Sequence, residues 1–189
     1  MLVGYHPTEA RQHLLGGQPL PNLYEYEPRR PIQALYSDRE GTERLSELVE
    51  RAFGVPITLN RYGAELRLHW GVPSEPESLP PPSRAYLESL MRVPLIGDQG
   101  DGVRSFVGLL LETMVSPPLV LIDEPEAFLH PPNARLLGRV LVERTPENGQ
   151  LIIATHSDDV LQGVLEVRNR RIRLIRQSRG PFGNQPGGG

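Results

Sequence analysis

The stretch Leu119–Glu124, with the sequence LVLIDE, is the part of the chain that decides its fold class. Four consecutive apolar residues followed by two carboxylates predict a short strand buried on both faces, with Asp123 and Glu124 at its C-terminal tip. Carboxylates are costly to desolvate, so a pair in this position usually faces a cleft, a metal or a partner. The alternative is a strand that ends in a plain polar turn, and the stretch alone favours neither interpretation.

Helices and strands are predicted to alternate on both sides of this strand. Helical patterns cover about residues 83–91 and 103–115 before it and about 132–143 after it, and a strand at 150–154 leads into a helix at about 158–165. This alternation predicts an α/β fold with a mostly parallel sheet flanked by helices. In such sheets, ligands bind beyond the carboxyl ends of the strands.

The region before residue 71 has a different pattern. Glycine and proline interrupt the apolar runs of the first forty residues, so no long element is expected there. A helix with Thr42 as its candidate N-cap is predicted to stop at Gly54. The runs 55–61 and 65–70 then predict a β-hairpin.

The pattern divides the chain into four parts. Residues 1–70 form an N-terminal helix and hairpin region, and the proline-rich segment 71–83 is expected to be a stiff linker or an extended loop. Residues 84–177 contain the regular α/β pattern, which ends in a strand predicted at 171–176. Residues 178–189 are glycine-rich and are expected to be disordered.

Composition excludes several classes of mechanism. The chain has 189 residues, no cysteine and, among its 20 basic residues, no lysine. Disulfide scaffolds, thiolate metal sites, cysteine nucleophiles and lysine-dependent chemistry are therefore excluded for this chain by itself. A net charge of −3 argues against a general nucleic-acid-binding protein. With no apolar run near the roughly 20 residues that span a bilayer and no signal peptide, we expect a cytoplasmic protein.

Two further motifs carry chemical groups. Residues 154–157, with the sequence ATHS, follow the strand predicted at 150–154, so a parallel sheet would place His156 near Asp123 and Glu124. A lone histidine at a strand end is more often structural, but two neighbouring strands that both end in chemical groups favour a functional site. Upstream, a glycine-rich turn at 100–106 opens a helix and could cradle a phosphate, although taken alone it is better explained as a simple N-cap by Asp101.

In order and spacing, these motifs resemble the C-terminal half of an ABC-type ATPase head of the RecF, SMC and OLD-like kind. The resemblance covers roughly residues 95–176 and implies a P-loop-NTPase-like sheet that binds ATP and Mg²⁺. It matches Leu119–Glu124 to the Walker B strand, with Asp123 in the magnesium role and Glu124 as the catalytic base. His156 falls on the position of the switch histidine.

The resemblance also implies a partner. Its signature loop, which binds the γ-phosphate of ATP held by the opposite protomer, matches Gly100, Asp101, Gly102 and Arg104. This implies a homodimer with ATP between subunits. Gly100 stands where the family usually has a serine, and Asp101 places a negative charge near the expected phosphate, so Arg104 or Ser105 would have to compensate.

The motif Gly-x-x-x-x-Gly-Lys-[Ser/Thr], which holds the β- and γ-phosphates, has no match in the sequence. The chain is then either the C-terminal portion of a larger ATPase, or a shortened relative, or the partner of a separate P-loop-bearing polypeptide. Its own ATPase activity stays open. The alternative function is a non-catalytic, degenerate ATPase fold that serves as an interaction or DNA-linked regulatory module.

Three other features have two interpretations each. Glu126 could brace the magnesium site or cap the helix after Pro131. The resemblance implies that His130 helps to shape the dimer face, but His130 is expected to be structural. The arginine run within 168–176 could contact DNA, but the solvent face of an alternating strand explains it equally well.

Overall fold

The computed structural model describes residues 3–6, 15–22, 30–78, 80–113, 119–168, 172–173 and 175. Within them, six strands and six α-helices follow one another along the chain. The strands are β1 (Val3–His6), β2 (Gln18–Pro19), β3 (Ile57–Asn60), β4 (Glu65–Trp70), β5 (Leu119–Asp123) and β6 (Gln150–Ala154). The helices are α1 (Pro31–Ala34), α2 (Arg39–Phe53), α3 (Arg84–Leu90), α4 (Asp101–Glu112), α5 (Pro131–Arg144) and α6 (Asp158–Glu166).

A three-stranded parallel sheet forms the centre of the α/β part. Its order is β1-β5-β6, with Leu121 opposite Ile152 and Asp123 opposite Ala154 in the register of β5 and β6. This confirms the predicted α/β class with a parallel sheet. The sequence did not predict β1, because its four residues are too few to show a period.

One face of the parallel sheet packs against the helices. Ile122 is buried in the main core, and Val120, Leu151 and Ile153 pack against the same cluster. The opposite face carries Leu121 and Ile152, and Ile152 is 55% exposed. Among the described residues, the sheet is therefore covered fully on one side only.

The N-terminal region forms a second, antiparallel sheet of order β2-β4-β3. The predicted hairpin is confirmed, with strands at Ile57–Asn60 and Glu65–Trp70. The predicted stop at Gly54 is also confirmed, because this glycine ends α2 with a φ of 77°. Glycine adopts that left-handed conformation without the cost that other residues incur.

Two predicted N-caps are wrong. Helix α2 begins one turn before Thr42, because the side chain of Asp38 accepts a hydrogen bond from the Gly41 N–H. Thr42 lies inside the helix, where its hydroxyl donates back to the Asp38 carbonyl over 2.8 Å. At α4 the N-cap is Gly100 rather than Asp101, and it provides no capping side chain.

Aromatic side chains join the N-terminal region to the α/β part. Phe53 at the end of α2 contacts Phe106 of α4 edge to face, with ring centroids 5.3 Å apart, and Trp70 of β4 at 6.1 Å. Such pairs stabilise by about 0.5–1.5 kcal/mol beyond the burial of their area. The two regions share one buried core, which includes Leu45, Leu66 and residues of α4 and α5.

Some predicted features lie outside the described residues. Of the strand predicted at 171–176, the structure describes Ile172, Arg173 and Ile175, which have no regular secondary structure, and the tail 178–189 lies wholly outside. The division of the chain at residues 71 and 84 stays a prediction. In the part of the chain that the structure describes, no helix is long and apolar enough to cross a membrane.

Helices α5 and α6 approach until their backbones touch. A Cβ atom on Gly163 would lie 1.9 Å from the carbonyl oxygen of Arg135, and one on Gly138 would lie 2.5 Å from that of Val160. An ion pair between Arg135 and Glu166 joins the same two helices at the surface. Glycine at both contacts therefore sets the position of α6 and of the strand end that precedes it.

We expect Gly163→Ala to lower the free energy of unfolding by about 2 kcal/mol or more, because the added methyl group forces the two backbones apart. Chemical denaturation measures the change. Gly97→Ala is the matched control, since the nearest atom to its added Cβ would be the Leu15 carbonyl oxygen at 3.9 Å. Equal stability of both variants would contradict the close approach.

Burial raises the pKa of the Glu112 carboxyl, at the end of α4, to about 7. Below the ordinary pKa of 4.5 both the folded and the unfolded chain are protonated at this group. As the pH rises from there to 7, the unfolded chain loses this proton first, so stability falls and then levels off above pH 7.

Glu112→Gln removes the ionisable group, so we expect it to raise the free energy of unfolding at pH 8 by on the order of 1 kcal/mol. At pH 4 it should change little. Denaturation curves at the two pH values test this, with the exposed Glu147→Gln as control. A gain in stability that is the same at both pH values would refute the assignment to Glu112 ionisation.

Candidate functional site

The carboxyl ends of β5 and β6 lie side by side and form a polar rim. The ladder continues one residue past Asp123, because the Glu124 N–H donates to the Ala154 carbonyl over 2.8 Å. Asp123 and Glu124 are both exposed at this rim. The parallel register thus brings the acidic tip of one strand beside the Thr155-His156 tip of the next.

The backbone turns sharply as it leaves β5. Glu124 has a φ of 45° and Phe128 a φ of 67°, and both lie in the left-handed region that residues other than glycine rarely adopt. Two turn hydrogen bonds hold this loop, from the Ala127 N–H to the Glu124 carbonyl at 3.1 Å and from the Leu129 N–H to the Glu126 carbonyl at 2.8 Å. Strain of this kind is found at functional sites, where the surrounding structure maintains it.

His156 lies between two carboxylates. Its Nδ1 is 3.4 Å from Glu124 Oε1 and 3.4 Å from Glu126 Oε1. The imidazole is 77% exposed, and Glu124 is half exposed beside it, so both groups are open to a ligand or to water. The sequence predicted that Glu124 and His156 would meet at one edge of the sheet, and the structure places them there.

Glu126 connects the two strand tips. One of its oxygens, Oε1, accepts a hydrogen bond from the Thr155 hydroxyl at 2.8 Å and another from the His156 N–H at 3.2 Å. Its other oxygen, Oε2, is buried and has no hydrogen-bond partner among the described residues. The cap of α5 is His130, without a side-chain hydrogen bond, so Glu126 does not have the capping role that the sequence left open.

Thr155 is the residue of this cluster that sequence reasoning missed. Its hydroxyl donates to Glu126 and accepts from the Ser157 N–H at 3.0 Å. Ser157 is the N-cap of α6, since its side chain accepts from the Val160 N–H. The sequence signal beside Thr155 is Ser157, a residue type that is preferred as the N-cap before a helical pattern.

The glycine-rich turn lies at the start of α4. Arg104 forms an ion pair with Asp101 on the first turn of the helix. Ser105 is fully buried, so its hydroxyl does not face a ligand at the surface. The space around Gly100 is open, because no described atom outside its chain neighbours and its own helix lies within 4 Å of the position that a Cβ would take.

Gly102 attaches this turn to the loop after β5. A Cβ atom at Gly102 would lie 2.6 Å from the Phe128 carbonyl oxygen. The N-terminus of α4 therefore packs directly on the strained loop that begins at Glu124. Phe128 itself is 59% exposed.

The donor set at the rim suits a hard cation bound together with a phosphate ligand. Mg²⁺ usually takes one or two protein carboxylates and completes its shell with water and phosphate oxygens. Asp123 and Glu124 offer exposed carboxylates of this kind. Among the described residues there is no group of three acidic or histidine side chains that could hold a metal by itself.

Other surface features lie apart from this rim. An open groove of 460 Å³ is lined by residues of and next to α3, namely Arg84, Leu87, Glu88, Met91 and Arg92. Of the arginine run within 168–176, the structure describes Arg168 and Arg173, and both are exposed.

Comparison with protein families gives one match in the second half of the chain. Residues 95–162 match the family described as "AAA domain, putative AbiEii toxin, Type IV TA system". The match spans the glycine-rich turn, the acidic tip of β5 and the tip of β6.

A curated protein and a solved structure are also similar to this chain. The chain is 27% identical over 143 residues to the Old nuclease of Escherichia phage P2, a match that covers 67% of this chain and 24% of that protein. The Smc head bound to the C-winged helix domain of ScpA superposes with a TM-score of 0.56 at 13% identity, covering 84% of this chain and 49% of that one. The chain thus spans about a quarter and about half of these relatives.

We expect Glu126→Ala to loosen the tip of β6, because it removes the acceptor for the Thr155 hydroxyl and the His156 N–H. The free energy of unfolding should fall by about 1–2 kcal/mol, and the His156 amide should exchange with solvent faster. Denaturation and NMR hydrogen exchange measure these effects. The exposed Glu147→Ala is the control, and unchanged exchange at His156 in Glu126→Ala would rule out the bridging role.

Proposed function

We propose that the chain carries an ATPase domain of the ABC, SMC and OLD-like kind, which the family match at residues 95–162 and the similarity to the Old nuclease support, and that it supplies the carboxylate and histidine half of an ATP-hydrolysing site. In this proposal Asp123 binds Mg²⁺ and Glu124 is the general base. His156 senses or stabilises the terminal phosphate. The observation that carries the proposal is the 3.4 Å approach of His156 Nδ1 to Glu124 Oε1 at the exposed tips of two paired parallel strands.

The role of Asp123 follows from its position. It ends β5 as an exposed carboxylate directly before Glu124. Mg²⁺ bound with ATP would neutralise charge on the β- and γ-phosphates. A carboxylate fixed at the end of a paired strand can hold such an ion without rearrangement, because the sheet already determines where the strand ends.

Glu124 is suited to receive a proton from water. Its left-handed backbone directs the carboxylate out of the sheet edge, where half of the side chain meets solvent. A base must lie within hydrogen-bond reach of the attacking water, and a positioned carboxylate usually contributes a rate factor of about 10²–10⁴. His156, held at its backbone by Glu126, can donate to Glu124 or to a phosphate oxygen through the same ring.

The phosphate-holding half is proposed to come from elsewhere. The chain has no lysine and no Gly-x-x-x-x-Gly-Lys-[Ser/Thr] segment, and that loop normally supplies most of the contacts to the β- and γ-phosphates. Gly100, Asp101, Gly102 and Arg104 are proposed as a phosphate-facing turn for a nucleotide held by a second protomer. A homodimer or a P-loop-bearing partner would complete the site.

A second candidate function is a non-catalytic interaction module on the same fold. The observation that favours it is the ion pair between Asp101 and Arg104, together with the burial of Ser105. In that arrangement the Ser105 hydroxyl is buried and the Arg104 guanidinium is paired with Asp101, so neither group is available to bind a phosphate. Gly100→Ser would separate the two candidates, since it restores a hydroxyl in open space and should strengthen ATP binding only if the turn faces ATP.

We expect Mg²⁺-dependent ATP turnover by preparations that contain this chain to depend on Glu124. Glu124→Gln keeps the shape but not the basicity, so kcat should fall by about 10²–10⁴ while ATP affinity changes little. Steady-state phosphate release and calorimetric ATP binding measure the two quantities. Glu147→Gln, in the exposed loop before β6, is the matched control.

The outcomes separate three cases. Turnover at the parent rate in Glu124→Gln would eliminate its role as base. If the 189-residue chain alone hydrolyses ATP and Glu124→Gln abolishes this, the catalytic role stands and the need for a separate P-loop falls. If the chain turns over ATP only when a P-loop-bearing partner is added, and Glu124→Gln does not, the chain is the incomplete half that we propose.

A further inference from the structure

The hydroxyl of Thr155, just beyond the end of β6, makes two hydrogen bonds. It donates to Glu126 Oε1 over 2.8 Å and accepts from the Ser157 N–H at 3.0 Å. The first bond reaches the loop after β5, and the second reaches the N-cap residue of α6. One half-buried hydroxyl therefore joins the loop after β5 to the start of α6.

The backbone at His156 is held on both sides by this network. The His156 N–H donates to Glu126 Oε1 at 3.2 Å, and the N–H of the next residue, Ser157, donates to the Thr155 hydroxyl. Glu126 Oε1 can accept from both Thr155 and His156, because a carboxylate oxygen has two lone pairs. Loss of the Thr155 hydroxyl would remove one bond of the pair to Glu126 and the bond that holds Ser157.

The imidazole of His156 depends on this backbone for its direction. The ring is 77% exposed, so packing restrains it little, and its Nδ1 lies 3.4 Å from Glu124 Oε1 and 3.4 Å from Glu126 Oε1. An exposed side chain ordinarily changes rotamer within picoseconds to nanoseconds. The position of the ring beside Glu124 therefore requires that the backbone at His156 and the carboxylate of Glu126 stay in place.

We propose that Thr155 is a positioning residue, whose hydroxyl holds the His156 ring beside Glu124 through its bonds to Glu126 and Ser157. The catalytic consequence rests on the proposed function, in which Glu124 and His156 act on the attacking water and the terminal phosphate. Thr155 acts through these neighbours and not on the substrate. A displacement of about 1 Å at a reacting group can lower a rate by about 10², so a loose His156 would lower kcat.

The alternative is that Thr155 only stabilises the start of α6. Two substitutions separate these roles by chemistry. Thr155→Val keeps the branched shape and removes the hydroxyl, whereas Thr155→Ser keeps the hydroxyl and removes the methyl group. A positioning role that depends on the hydroxyl is lost in the first variant and kept in the second.

The first readout needs no nucleotide. In the full chain, three-bond NMR couplings from the backbone nitrogen and carbonyl carbon of His156 to its Cγ measure the populations of its χ1 rotamers. We expect one dominant rotamer in the parent and in Thr155→Ser, and several in Thr155→Val.

Thr145→Val is the matched control for the loss of a hydroxyl. Thr145 is also half-buried, and its hydroxyl donates to the Leu141 carbonyl over 2.8 Å. It lies at the end of α5 that is opposite the rim. This variant loses a hydrogen bond of the same length, and we expect it to leave the His156 rotamer unchanged.

The second readout is Mg²⁺-dependent ATP turnover in the same preparations that test Glu124→Gln. We expect kcat to fall by about 10–100-fold in Thr155→Val, with ATP affinity within about twofold of the parent, and to stay within about threefold in Thr155→Ser. Adding Thr155→Val to Glu126→Ala should lower kcat little further, because the hydroxyl acts largely through that carboxylate.

Three results would overturn the inference. Several rotamers of His156 in the parent chain would mean that its ring is not held. An unchanged rotamer population in Thr155→Val would mean that the hydroxyl does not hold it. Equal effects of Thr155→Val and Thr155→Ser, or an equal effect of Thr145→Val, would mean that packing or general stability is responsible.

The two readouts keep this inference and the proposed function distinguishable. A single rotamer that depends on the Thr155 hydroxyl, in a protein without ATP turnover, leaves the positioning role and removes the proposed function. Turnover that needs Glu124 but is unchanged in Thr155→Val leaves the function and removes the positioning role.

Discussion

The parallel pairing of β5 with β6 is the constraint on which the candidate site depends. Its register sets Asp123 opposite Ala154, and one more hydrogen bond, from the Glu124 N–H to the Ala154 carbonyl, fixes the first residue beyond the strand. Both strands end at this level, so the backbone fixes the separation of Glu124 and His156. Only their side-chain rotamers can change the distance between the carboxylate and the imidazole. The close glycine contacts between α5 and α6 also stabilise this register, because they fix the position of α6, the helix that follows β6.

The carboxylate of Glu126 links the residues at the ends of the two strands into one cluster. Glu126 accepts hydrogen bonds from Thr155 and from the His156 backbone, so it ties the loop after one strand to the tip of the next. Its second oxygen is buried without a hydrogen-bond partner among the described residues. The cluster is therefore held by its backbone and by Glu126, while Glu124 and the His156 ring stay exposed for a ligand.

The sequence predicted most of the elements that have a strong period or a clear stop signal. The run LVLI before two carboxylates, the strand 150–154 and the stop at Gly54 appear at the predicted positions, because each depends on local chemistry. The predicted burial of the LVLI strand on both faces is wrong for the described residues, since only Ile122 is buried and residues 119–121 are half-buried. The predicted N-cap of α2 at Thr42 was wrong. The N-cap is Asp38, because its side chain accepts a hydrogen bond from the N–H of Gly41. Strand β1 could not be predicted, because four residues have no measurable period and only pairing with β5 makes them a strand.

The close approach of Gly102 to the Phe128 carbonyl means that the turn before α4 and the loop after β5 behave as one mechanical part. No side chain separates them, so there is no rotamer that could absorb a displacement of either segment. A shift of the strained Glu124–Phe128 turn is then expected to move the start of α4, the helix whose Phe106 makes the aromatic contact with α2. The two segments, which are far apart in sequence, are therefore expected to move together, and a substitution that displaces one of them should displace the other.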